Sequence, residues 1–166
     1  MSSERLRSGL LALVLLALAL PVTAAPAGSA APEVTLETLS GDTVNLSQYR
    51  GKLVMVNFWA PWCPPCRQEM PDLQAFHQKY DDTVVLGLAV EYRSRENVVN
   101  MVDMMSVTYP VALVDREMAR KFGDFRGLPT TFYITPDGRL YGQHAGILSA
   151  DLMETYRKEI LAETGS

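Results

Sequence analysis

The feature that most constrains this chain is an apolar run, Leu53-Val54-Met55-Val56-Asn57-Phe58, leading straight into Trp59-Ala60-Pro61-Trp62-Cys63-Pro64-Pro65-Cys66. The run reads as a buried strand. Beyond Cys66 the apolar residues Met70, Leu73, Phe76 and Tyr80 recur at helical spacing, so a helix is predicted from about residue 63 to residue 80, with a kink near Pro71. The chain has only two cysteines, and both lie at this strand-to-helix junction. A helix N-terminus offers unpaired N–H groups and roughly half a positive charge, which favour a thiolate. Cys63 is therefore expected to be exposed and readily ionised, and Cys66, one turn further in, to be shielded and placed to attack a mixed disulfide. Pro64 and Pro65 lack N–H donors and suit a first helical turn.

Two other uses of a Cys-x-x-Cys pair fit less well. A structural zinc site wants four ligands, yet no further cysteine exists and the two histidines, His77 and His144, are isolated. Both histidines read as structural or surface residues. A purely structural bridge across two residues closes little chain entropy. The pair is read as a redox-active dithiol, with no metal and no cofactor expected.

The N-terminus carries Arg5 and Arg7, then an almost uninterrupted Leu/Ala/Val stretch from Leu10 to Leu20, Pro21, and the small residues Val22-Thr23-Ala24. Residues 1–24 are read as a signal peptide, or as a membrane anchor if uncleaved. Residues 25–32, rich in Ala, Pro and Gly, are read as a flexible linker, and residues 33–166 as one domain. Without residues 1–24 the chain keeps 13 basic and 18 acidic side chains, a net charge of −5. That balance argues against nucleic acid or an anionic membrane surface as partner. An exported dithiol meets an oxidising compartment, where disulfides persist.

The remaining pattern is mixed. Glu33 to Glu37 and Thr43 to Leu46 alternate around Ser40-Gly41-Asp42, as in a hairpin. Val84 to Val90 is continuously apolar, like a strand covered on both faces. A helix over 95–105, a short strand over 111–114 and a short helix over 116–122 follow. Strands over 131–135 and 139–144 bracket Pro136-Asp137-Gly138, and a last helix starts after Ser149 with Leu152, Tyr156 and Ile160 facing inward. Val98, Met101, Val102 and Met105 share a helical stripe, so the Met101, Met104 and Met105 cluster reads as packing rather than copper ligation. Strands alternating with helices and a closing hairpin predict an α/β layered domain.

This order, with Gly127-Leu128-Pro129-Thr130 ahead of the last hairpin, resembles the thioredoxin fold over residues 33–163. Asn57-Phe58-Trp59-Ala60-Pro61-Trp62-Cys63-Pro64-Pro65-Cys66-Arg67-Gln68-Glu69-Met70-Pro71 resembles more narrowly the TlpA/ResA-like thiol–disulfide oxidoreductases. The resemblance implies a central mixed sheet flanked by helices, with an N-terminal β-hairpin extension. It implies Cys63 and Cys66 as catalytic residues, Pro129 as a cis-proline, and a substrate groove formed by Trp62, Pro64, Leu128, Pro129 and Gly146. Asn57 stands where ordinary thioredoxins carry a buried Asp. Glu69 matches an acidic residue near the active site of ResA-like members, and reads either as a proton relay to Cys66 or as a solvated helix glutamate. The implied partners are disulfide-containing exported proteins, of the cytochrome c maturation or copper-site assembly type, and a membrane thiol electron donor. Monomer is the default for this fold. The rival readings are a dithiol oxidase, a copper(I)-binding module using the same sulfurs, and a peroxidase of the related peroxiredoxin type. The last is disfavoured because the cysteine context lacks that type's Thr and Pro pattern.

Overall fold

The computed structural model describes residues 28–165. The signal or anchor segment expected over residues 1–24 lies outside them. Among the described residues no helix is long and apolar enough to cross a membrane.

The elements run β1 (Thr35–Glu37), β2 (Thr43–Asn45), a 3-10 turn (Leu46–Tyr49), β3 (Leu53–Trp59), α1 (Pro64–Lys79), β4 (Thr83–Ala89), α2 (Arg95–Met104), β5 (Val111–Leu113), α3 (Arg116–Phe122), β6 (Thr130–Ile134), β7 (Leu140–Ala145) and α4 (Ala150–Thr164). The last five strands form one sheet in the order β5-β4-β3-β6-β7, and β1 and β2 form a separate hairpin. β3 pairs in parallel with β4, and β4 with β5, whereas β6 is antiparallel to both β3 and β7. The mixed thioredoxin-like sheet and the hairpin extension expected from the sequence are both present.

β3 is central, and every one of its residues is buried. Its side chains alternate between two cores, because successive residues of a strand point to opposite faces. Leu53, Met55 and Trp59 pack with Met70, Leu73 and Phe76 of α1, with Val98 and Met101 of α2, and with Met153 and Ile160 of α4. Val54, Val56 and Phe58 pack with Leu36 and Val44 of the hairpin and with Ala119 and Phe122 of α3. A strand covered on both faces has no polar side to display, which is why the sequence shows an unbroken apolar run. α1 continues through Pro71 as one helix. In α4 the fully buried positions are Met153 and Ile160, while Leu152 and Tyr156 sit half-buried beside them. Of the inward residues expected from the sequence, Ile160 alone is fully buried, and Met153 takes the place of Leu152 and Tyr156 at the centre of the face.

The linker reading also shortens. Gly28 to Ala31 hydrogen-bond along Gly138 to Leu140, with the Gly28 N–H donating to Leu140 O at 2.6 Å and the Ala31 N–H to Gly138 O at 2.9 Å. Arg139 Nη1 adds a bond to Gly28 O at 2.7 Å. Residues assigned to a flexible linker thus form part of the sheet's edge.

Gly87, in the middle of β4, has no room for a side chain. A Cβ there would lie 2.9 Å from Tyr109 Cε2 and 3.2 Å from Trp59 Nε1. Gly87→Ala is expected to lower the free energy of unfolding by about 1–3 kcal/mol, as overpacking of a filled core does. Equilibrium denaturation against the parent chain measures it; an unchanged midpoint would show that the two rings move aside freely.

Candidate active site

The end of β3 turns sharply into α1. The Cys63 N–H donates to Ala60 O at 3.1 Å, closing the turn, and the Val90 N–H donates to Trp59 O at 2.9 Å, holding the strand end against β4. Cys63 is the N-cap of α1, with Pro64 and Pro65 in the first helical positions. Its Sγ accepts the Cys66 N–H at 3.3 Å. The two sulfurs are joined in a disulfide, with the Cα atoms 5.3 Å apart. Cys66 is fully buried, as expected. Cys63 departs from expectation: it is only 2% exposed and packs in the same apolar cluster as Met70 and Leu148. In the oxidised pair the first sulfur is bonded inward to Cys66 and capped by its N–H, so it is shielded rather than exposed.

One turn beyond Cys66, on the same side of α1, lies Glu69. It is 1% exposed, so it is not a solvated helix glutamate. Oε1 accepts from Asn57 Nδ2 at 2.7 Å and Oε2 from the Leu148 N–H at 2.8 Å. Asn57 Nδ2 also donates to Thr131 Oγ1 at 3.0 Å. Burial pushes the Glu69 carboxyl up to about 7, against the opposing pull of the Leu148 and Asn57 N–H donors. Desolvation outweighs the hydrogen bonds, and the group is left poised to hold or release a proton near neutrality.

The residues expected to line a groove gather at the same end of the sheet as the sulfurs. The Leu128–Pro129 peptide is cis. Thr130, directly after it, pairs with Phe58 near the end of β3. Pro129 O accepts the Gly146 N–H at 2.9 Å, which joins the two loop segments expected to line the groove. Gly146 sits at φ +104°, a conformation that favours glycine. Leu128 is half-buried, and Pro64 is exposed at the helix start. Trp62 is 56% exposed, and its Nε1–H donates to Glu91 O at 2.8 Å. Glu91 has φ +52° and is ion-paired with Arg116 at 2.9 Å, so the indole is tethered from outside.

Three contributors escaped the sequence reading. Leu148 presents its backbone N–H to Glu69 from 79 positions away, and a backbone donor has no side-chain signature. Asn57 was noted only as a missing acid, not as the donor that holds Glu69. Ile147, 42% exposed, is an apolar side chain left open beside Gly146. Of the methionines read as packing, Met101 is buried in the core and Met105 packs against it, whereas Met104 is exposed and contributes nothing to the core. His77 Nδ1 accepts the Val85 N–H at 3.3 Å. Burial and the nearby Lys52 charge both depress its proton affinity. Among the described residues no three His, Cys, Asp or Glu side chains cluster as a metal site.

Comparison with known proteins agrees with this geometry. The sequence pattern described as the AhpC/TSA family matches residues 27–142. The thiol-disulfide oxidoreductase ResA of Oceanobacillus iheyensis is 36% identical over 138 residues, covering 80% of this chain and 72% of that protein. The thioredoxin-like protein YneN of Bacillus subtilis is 34% identical over 131 residues, 76% of either chain. A crystal structure of a thiol:disulfide interchange protein of the thioredoxin family from Chlorobium tepidum superposes with a TM-score of 0.74 at 30% identity, covering 83% of this chain and 99% of that one.

The buried carboxyl makes stability depend on pH. The folded carboxyl titrates at about 7 against an ordinary value of 4.5. Between those values the folded chain retains a proton that the unfolded chain has lost, so stability falls as pH rises through the window and levels off above it. The interval corresponds to about 3 kcal/mol. Glu69→Gln is expected to remove this dependence, gaining up to about 3 kcal/mol on the parent chain between pH 4.5 and pH 8. Denaturation of both chains across that range checks it; a difference independent of pH would show that the carboxyl keeps its ordinary proton affinity.

Proposed function

Given that the chain belongs to the AhpC/TSA family and is a thiol–disulfide oxidoreductase of the ResA type, we propose that it reduces disulfides in exported client proteins through Cys63 and Cys66. The observation that carries this reading is the placement of a disulfide at the N-terminus of α1, with a buried carboxyl one turn beyond it. In the reduced protein the Cys66 N–H that now meets Cys63 Sγ faces a thiolate instead, and a charge-assisted bond is the stronger one.

The cycle follows from these positions. Cys63 thiolate attacks one sulfur of the client disulfide, and the other client sulfur leaves as a thiolate. Cys66 gives its proton to the Glu69 carboxylate and attacks Cys63 Sγ. The client leaves as a dithiol, two electrons having passed to it, and the protein is left with the Cys63–Cys66 disulfide. A membrane thiol carrier returns two electrons. Trp62, Pro64, Leu128, Pro129 and Gly146 form the groove, where an extended client strand adds to the Leu128 backbone.

The setting is the periplasm, with residues 1–24 as a signal peptide or a retained anchor. The clients are apoproteins of cytochrome c maturation or copper-site assembly. The export-type N-terminus and the ResA relatives support this reading.

Two measurements test it. Cys66→Ser is expected to accumulate mixed disulfides through Cys63 when exported proteins are offered, and Cys63→Ser to accumulate none; capture by neither would remove Cys63 as the attacking group. The reduction potential of the pair is expected at or below about −230 mV, with the thioredoxin-like reductants, whereas about −120 mV would make the protein an oxidant and reverse the direction of electron flow.

A further inference from the structure

A carboxyl with 1% exposure that takes a proton each turnover must also pass it on. The structure places a row of polar groups between Glu69 and the edge of the sheet. Asn57, Thr131 and His144 are directly paired across β3, β6 and β7, so their side chains share one face. Glu69 is bonded to the first of them and Asn57 to the second. Tyr133, two residues along β6 on that face, is 2% exposed, and its hydroxyl has no hydrogen-bond partner among the described residues. A buried hydroxyl without a partner is costly, and an ordered water is one means of satisfying it. The Tyr133 ring lies 4.9 Å from the ring of Tyr156 on α4. The Tyr156 hydroxyl lies 3.3 Å from His144 Nδ1. His144 is half-exposed, and its Nε2 lies 3.2 Å from Ile147 O. A carbonyl only accepts, so Nε2 carries the hydrogen, and in the neutral ring Nδ1 accepts from the Tyr156 hydroxyl.

We propose that Tyr133, Tyr156 and His144 form the proton exit from Glu69 to solvent, with a water at the Tyr133 hydroxyl completing the path. The proposal rests on the reading that Glu69 takes the Cys66 proton. When Cys66 attacks Cys63 Sγ, its proton passes to Glu69 and then along the hydroxyls, each accepting one hydrogen and giving up another, to His144 and bulk water. The departing client thiolate takes a proton from the solvent, so charge balances over the turnover. During recycling the path runs inward and reprotonates Cys66. The ionisable groups facing Glu69 fit this direction. Tyr109, ahead of β5, and Tyr133 both feel the carboxylate and are held neutral by burial. Tyr109 also has an unpartnered hydroxyl, and its ring lies 6.1 Å from that of His77, but no hydrogen bond joins the two and His77 Nδ1 is already taken by the Val85 N–H.

The test is single-turnover reduction of a small aromatic disulfide by the reduced protein, followed by stopped flow at low buffer concentration in light and heavy water. Tyr156→Phe, which keeps the ring against Tyr133, and His144→Ala are each expected to slow the Cys66 step on the order of tenfold, within the range positioned proton transfer supplies. Both are expected to show an enlarged solvent isotope effect, and added imidazole is expected to restore His144→Ala. Glu69→Gln should be slow and insensitive to imidazole. If Glu69→Gln is slow while Tyr156→Phe and His144→Ala match the parent chain, the route is overturned and the role of Glu69 stands. If Glu69→Gln matches the parent chain, that role fails and the route falls with it. If His144→Ala is slow but unchanged by imidazole and by heavy water, His144 serves only to hold Ile147, and the relay is overturned.

Discussion

The buried carboxyl of Glu69 is the constraint on which the rest of the site depends. Burying an ionisable group is costly unless its oxygens find donors. Here the donors come from two different elements: the Asn57 side chain on β3 and the Leu148 backbone between β7 and α4. The carboxyl itself belongs to α1, so a single group ties the helix that carries the sulfurs to the central strand and to the loop beside the cis-proline. Displacing any one of these elements leaves a buried acceptor or donor without its partner, at about 1–3 kcal/mol. The need to satisfy one carboxylate therefore fixes the relative placement of the dithiol and the cis-proline loop. Two donors are enough to keep the group in place and too few to keep it fully ionised.

The other half of the site is made of backbone. Cys63 occupies a position normally held by Ser, Thr, Asp or Asn, whose side chains satisfy the first N–H groups of a helix. Its sulfur takes over that duty toward Cys66. Sulfur in a disulfide is a weak acceptor and a thiolate a strong one, so the helix is better capped in the reduced protein. Electrostatics at the start of α1 favours the state that can attack, and packing around Cys63 shields the state that already has.

The legible parts of this molecule were those with a local cause. β3 and β4 announce themselves because burial on both faces leaves an unbroken apolar run, and α4 because Ser149 caps it, accepting the Leu152 N–H. The cysteine pair was legible from spacing alone. Less was visible wherever the partner is distant in sequence. The Glu69 environment joins residues 57, 69 and 148, and the burial of Cys63 depends on the packing of α1 against residues near 148. The linker misjudgement has the same origin. Gly28 to Ala31 have no apolar pattern, and their order comes from backbone bonds to residues more than a hundred positions away.

That last pairing also sets where Gly28 to Ala31 lie relative to the sulfurs. β3 carries Cys63 beyond its final residue, while the β6–β7 turn, antiparallel to it, lies at the strand's starting end, where the Gly51 N–H meets Pro136 O. Gly28 to Ala31 are fastened beside that turn. The length of β3, roughly 20 Å at about 3.3 Å per residue, separates the fastening from the sulfurs. Gly28 to Ala31 therefore lie at the pole opposite the redox centre. An attachment made at Gly28 would hold the dithiol on the side facing away from it.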